Sequence, residues 1–209
     1  MVDNDWTSKG KIGTKDRILE AALAEFSTRG YDGASVDAIA QRASANKAMI
    51  YYHFPGKEAL FEAVFERELD TVKNGLAAIL GDARPLSAEE AETATERSLE
   101  LIRGKIGFVS ILFSGLSARK FIQPRLFDLL DYTTALGMRY EGSAKTNDEP
   151  SDLAIIRELF TGLLPLLGVV LLEEGLAEHY GWTKERVREL FLKVWLRWPS
   201  GANQELEED

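Results

Sequence analysis

Apolar positions recur along this chain at intervals of three and four residues, and no alternating run bounded by turns interrupts that rhythm. The pattern predicts an all-α fold. From Thr14 onward, Ile18, Leu19, Ala22, Leu23 and Phe26 share one face of a first helix, which Gly30 ends in a left-handed conformation. Ser35 caps a short second helix, with Asp37 in its first turn and Val36, Ile39, Ala40 and Ala43 on its apolar side. A turn from Ala43 to Asn46 follows. Asn46 caps a third short helix that runs to about Tyr52, and Pro55-Gly56 breaks the chain.

A long fourth helix is predicted from Lys57 to about Leu80 on the spacing of Leu60, Phe61, Val64, Phe65, Leu69, Val72, Leu76 and Ile79; Gly75 within it reads as either a hinge or a close-packing site, with packing favoured. Ser87 and Glu90 form a capping box for a fifth, which ends near Arg103 before Gly104. Further helices are expected at roughly 106–118, 122–141, 151–176 and 184–198, with Gln123-Pro124 and the polar stretch Glu141 to Pro150 as separators. Pro165 should kink its helix or fall at a local break. The last helix has the cleanest stripe, from Val187 through Leu190, Phe191, Val194 and Trp195 to Trp198. The first dozen residues and the tail PSGANQELEED read as disordered.

Composition narrows the picture. With 209 residues, 45% of them hydrophobic and 28% charged, the chain can bury its own core. It has no cysteine, which excludes disulfide frameworks, thiolate metal sites and cysteine nucleophiles. The N-terminus MVDNDWTSKG lacks the pattern of a signal peptide, so a cytoplasmic protein is expected. The most apolar stretch, Leu159 to Leu172, is interrupted by Gly162, Pro165 and Gly168 and falls short of the about 20 residues a bilayer needs. It is read as a helix buried inside the protein or between subunits, with no membrane partner.

The net charge of −9 argues against nucleic acid until it is divided. Residues 1–57 hold eight Lys and Arg against seven acids, while the remaining 152 hold 17 against 27. The second and third helices, braced by the first, have the layout of a helix-turn-helix reader. Around the third helix only Ile50 and Phe54 are placed for a core, whereas Lys47, Tyr51, Tyr52, His53 and Lys57 are donors or cations suited to a phosphate-bearing partner.

Over residues 14–65 the sequence TKDRILEAALAEFSTRGYDGASVDAIAQRASANKAMIYYHFPGKEALFEAVF resembles the TetR family of bacterial transcriptional regulators. The residues that carry the resemblance are Ala22 with Phe26, Gly30-Tyr31, Ser35, Ile39-Ala40 with Ala43, Tyr51 to Phe54, and Lys57-Glu58 with Leu60. It implies a flexible arm at 1–13, a helix-turn-helix domain at 14–56, a helical ligand-binding and dimerisation domain at 57–198, and a tail at 199–209. Implied contacts to a double-stranded DNA operator fall on Ser35, Arg42, Asn46, Lys47, Ala48, Met49, Tyr51, Tyr52, His53 and Lys57. Tyr51 and Tyr52 have a second reading as aromatics covering the seam with the fourth helix, and His53 as a helix cap. The chain departs from the family pattern at Ser44, where a glycine is usual, and at Ala48-Met49, where a Gly-Thr or similar small pair is common. Ser44 in a left-handed conformation would cost about 1 kcal/mol or more, and Met49 can meet a base only by apolar contact.

The resemblance further implies a homodimer and a small-molecule effector, held in a body for which Phe108, Phe113, Phe127, Tyr132 and Met138, with Phe121, offer apolar and aromatic walls. Helices near 151–176 and 184–198, apolar on more than one side, are expected to form the dimer interface. No enzyme is expected: His53 and His179 are the only histidines, neither has metal-ligand spacing, and no phosphate loop or nucleophile elbow occurs. No catalytic residue, metal or cofactor is assigned. The expected function is a ligand-responsive repressor that binds a palindromic operator as a dimer and is released by a small molecule. The alternative is a dimeric helical module that binds a small molecule or a protein and lacks useful DNA affinity.

Overall fold

Ten α-helices and one π-helical stretch account for every element in the computed structural model, which describes residues 13–81, 86–115, 121–140 and 152–195. The chain divides into two compact units, Met1–Glu68 and Leu69–Asp209. The first comprises α1 (Thr14–Gly33), α2 (Val36–Arg42), α3 (Lys47–His53) and the first half of α4 (Lys57–Leu80). Gly30 takes φ +67°, so the regular part of α1 stops where the sequence predicts and a kinked last turn runs on to Gly33. Ile18, Ala22, Phe26, Ile39, Ile50, Leu60 and Val64 are each at most 1% exposed and form the core of this head. Phe61 of α4 meets Phe26 edge-on at 4.9 Å and Tyr31 at 5.0 Å. These rings tie the start of α4 to the head, so this compact unit extends past the Pro55-Gly56 break to Glu68.

The second unit contains the rest of α4 and then α5 (Ala88–Arg103), α6 (Ile106–Gly115), α7 (Ile122–Tyr140), α8 (Asp152–Arg157), the π-helical stretch Glu158–Leu163, α9 (Leu164–Tyr180) and α10 (Lys184–Trp195). The capping box forms as predicted, the Glu90 N–H donating to Ser87 Oγ at 3.2 Å and the Ser87 N–H to Glu90 Oε2 at 2.9 Å. Gly75 packs under α5, since a Cβ there would stand 2.6 Å from the Leu101 side chain. Leu99, Phe108, Val109, Leu112, Ile122, Leu129 and Leu163 are buried between the helices. The expected helix ends at 118, 141 and 198, the disordered arm and the tail lie outside the described residues.

Two features depart from expectation. The helical segment holding Pro165 spans Asp152 to Tyr180, 29 residues, and only 17% of its most apolar window is buried within the chain. By length and composition it could cross a membrane. Pro165 falls, as expected, at a local break: it follows the wide turn Glu158–Leu163, at whose end the Leu164 N–H donates to the Leu159 carbonyl five residues back. Gly181, left-handed at φ +68°, ends α9 four residues beyond the predicted limit. The buried carboxylate of Glu173 on α9 pairs with Arg103 of α5 at 2.9 Å; Arg103 also holds Glu100, which accepts from Arg188 of α10 at 3.1 Å.

Candidate nucleic-acid interface

The reading geometry begins with two caps. Ser35 Oγ accepts from the Ala38 N–H at 3.0 Å, and Asn46 Oδ1 from the Met49 N–H at 2.7 Å, which fixes the first turns of α2 and α3. Between them the chain closes a Schellman turn: the Ser44 N–H donates to the Gln41 carbonyl and the Ala45 N–H to that of Ala40. Ser44 occupies the left-handed position at φ +50°, the only non-glycine with positive φ among the described residues. Arg17 Nε donates to the Ala43 carbonyl at 3.3 Å and ties α1 to this turn.

Ile50 and Phe54 are buried and anchor α3, which leaves its other face to solvent. Lys47, Ala48, Met49, Tyr51 and Tyr52 are exposed on it, Tyr52 at 85%. That exposure decides against the reading of Tyr52 as a seam aromatic. His53 is half-buried, its ring edge-on to Tyr52 at 5.1 Å and tilted against Phe54 at 6.2 Å. Arg42 is exposed in the last turn of α2, and Ser35 and Asn46 are exposed caps.

Two cations of this set have partners within the head that the sequence did not reveal. Lys47 Nζ lies 3.0 Å from Asp37 Oδ2, and this hydrogen bond, reinforced by the carboxylate's charge, raises the lysine pKa above its ordinary value. Lys57 Nζ sits 4.7 Å from the centre of the Tyr31 ring and donates to the Asp32 carbonyl at 3.4 Å. Asp37 is thus a member of the surface that sequence reasoning missed, because only its helix-capping value was legible.

A cavity of about 240 Å3 lies within the second unit. Val72 and Leu76 of α4, Ser98 of α5, Phe108 and Leu112 of α6, Leu129 of α7, and Leu163 and Leu167 line it, together with Lys105 and Glu158. Thr95, Ser98 and Thr133 each donate to a carbonyl of their own helix. Their hydroxyls therefore offer the cavity acceptor lone pairs. Of the expected aromatic walls only Phe108 lines the space. Phe113, one helical step past Leu112, turns away and is half-buried; Phe127 is 52% exposed; Phe121 is half-buried outside the lining. Tyr132 instead spends its hydroxyl on the Lys73 carbonyl at 3.1 Å, bracing α7 against α4. Met138 lies on α7, its side chain outside the described residues. The helix around Pro165 supplies aliphatic walls that the expected aromatic set does not contain.

Among the described residues no group of three or more His, Cys, Asp or Glu could hold a metal ion. Residues 18–64 match the family model of bacterial regulatory proteins, tetR family. The transcriptional repressor SCO4008 of Streptomyces coelicolor is 48% identical over 56 residues, 27% of this chain and 29% of that protein. The negative transcriptional regulator IcaR of the biofilm operon icaADBC in Staphylococcus aureus is 38% identical over 60 residues, 29% of this chain and 32% of that one. The matches therefore span about a third of these curated relatives' length. A TetR-like transcriptional regulator from Rhodococcus sp. RHA1 shares the fold, with TM-score 0.66 and 21% identity over 93% of this chain and all of that one.

Proposed function

From the premise that its N-terminal head belongs to the TetR family of bacterial transcriptional regulators, we propose that this chain is a DNA-binding repressor that docks α3 in the major groove. The observation that carries the reading is the anchoring of α3 by Ile50 and Phe54 while Lys47, Met49, Tyr51 and Tyr52 face solvent. Lys47, Tyr51, His53 and Lys57 are assigned to phosphates, as are Ser35 and Arg42; Asn46, Ala48 and Met49 are placed toward base edges. Anisotropy titration against the duplex upstream of the chain's own gene tests this. Affinity should fall steeply with salt, and Lys57→Ala should flatten the slope of log K against log salt by roughly one to two units per dimer. A salt-independent affinity would refute it.

The operator is proposed to be palindromic and the protein a homodimer. Leu153, Ile156, Phe160, Leu172 and Val194 are large apolar side chains left exposed on α8 to α10, and a groove of about 220 Å3 lies among Phe160, Pro165, Phe191 and Val194. A second copy covering this face explains why so apolar a helix is so little buried within its own chain. The effector is assigned to the cavity of the second unit, whose walls suit a mostly apolar small molecule. Both compact units draw on α4, so a ligand that shifts α4 alters the placement of the reader. A cytoplasmic location goes with this role.

A further inference from the structure

We propose that Asp37 is an electrostatic brake on DNA affinity, holding the Lys47 ammonium on the protein's own carboxylate so that a DNA phosphate has to compete for it. The inference rests on the head being the DNA reader, as proposed above. Asp37 stands in the first turn of α2 and Lys47 in the first turn of α3, with 3.0 Å between Nζ and Oδ2. The two side chains are 74% and 49% exposed. That exposure decides what kind of pair this is: an ion pair in water holds little structure together, and the turn between α2 and α3 is already closed by its own backbone hydrogen bonds. The pair can therefore open without disturbing the fold.

A lysine ammonium has three donors and a flexible stem, so Lys47 can turn from carboxylate to phosphate by rotation of its own side chain. The two acceptors compete for one cation. Attraction between unit charges about 4 Å apart in water corresponds to about a fivefold factor in an equilibrium, which a phosphate has to make up at each head. A lysine at its ordinary pKa is already charged at neutral pH, and the neighbouring carboxylate raises that of Lys47 further, so two anions compete there for one ammonium. A brake of this kind weakens contact with any phosphate backbone, whatever the base sequence.

The test uses the full chain, the variants Asp37→Asn and Lys47→Ala, and the double variant. Each is titrated by anisotropy against the duplex upstream of the gene and a scrambled duplex of the same length. Asp37→Asn keeps the size of the side chain and an acceptor oxygen while removing the charge. It should tighten binding to both duplexes by about fivefold per head, and the gain should largely disappear in the Lys47→Ala background. Unchanged or weaker binding by Asp37→Asn would show that Asp37 orients Lys47 or does nothing, and would overturn the brake. So would an equal gain with and without Lys47, which reports only the loss of a distant negative charge. If the parent chain binds neither duplex while circular dichroism shows it folded, the DNA reading itself fails and the brake with it; binding by the parent with no Asp37 effect removes the brake alone.

Discussion

Ser44 holds a backbone conformation that glycine would adopt without strain. Its φ of +50° closes the turn between the two reader helices, and among the described residues its side chain gains no compensating hydrogen bond. Ser44→Gly should therefore raise the stability of the protein by about 0.5–1 kcal/mol, after the larger entropy of an unfolded glycine is subtracted, readable as a higher denaturation midpoint in urea. Glu173 makes the opposite kind of prediction. Its carboxylate is 7% exposed and depends on Arg103, so Arg103→Met should cost about 2–4 kcal/mol by leaving a buried charge unpaired. Glu173→Gln, which removes that charge, should cost clearly less. Equal losses in denaturant titrations would show that the pair does not carry the effect.

At the scale of elements, sequence reasoning worked where local chemistry alone decides the outcome. Ser35, Asn46 and the Ser87–Glu90 box cap the helices they were expected to cap, and Pro55-Gly56 separates α3 from α4. It failed where a distant partner decides. Nothing within the sequence around Lys47 shows that Asp37, ten residues away, folds back onto it, and nothing in the spacing of aromatics shows that the Pro165 helix supplies aliphatic walls to the cavity. Gly75 belongs to the legible group, since its missing side chain makes room for Leu101. Gly75→Ala should forfeit the about 1 kcal/mol that alanine adds to a helix and emerge destabilising, because Leu101 has to leave its rotamer. In a Leu101→Ala background the same change should become stabilising. Thermal melts of the four proteins check both signs.

For the whole molecule, the expectation is a dimer at micromolar concentration that sediments as such without detergent. Val194→Glu, in the groove that Val194 lines with Phe160, Pro165 and Phe191, should weaken association by roughly a hundredfold or more; a monomeric parent, or a parent soluble only with detergent, would send the apolar helix Asp152–Tyr180 to another partner. Ligand control obeys a stricter rule. An effector that weakens DNA binding a hundredfold has to bind the DNA complex a hundredfold more weakly than the free protein, a coupling of about 2.7 kcal/mol. Once an inducer is found, calorimetry on free and DNA-bound protein measures both sides, and equal affinities would exclude equilibrium coupling.

The π-helical stretch sets the angular phase of everything after it. A turn that takes five-residue hydrogen bonds uses more residues per revolution, so the side chains beyond Leu163 point in directions that an uninterrupted α-helix would not give them. Deleting one residue from Glu158–Leu163 would look like a repair, since it removes the surplus. And so it acts: the shortened stretch, wound as regular α-helix, turns through about the angle that the six residues take now and leaves α9 facing as it does, whereas forcing all six into regular α-helix would swing α9 by about 100° and carry Glu173 off Arg103. The helix is in this respect geared: a residue of length can be lost within the wide turn, whereas the same loss beyond Leu163 has to re-mesh every contact downstream.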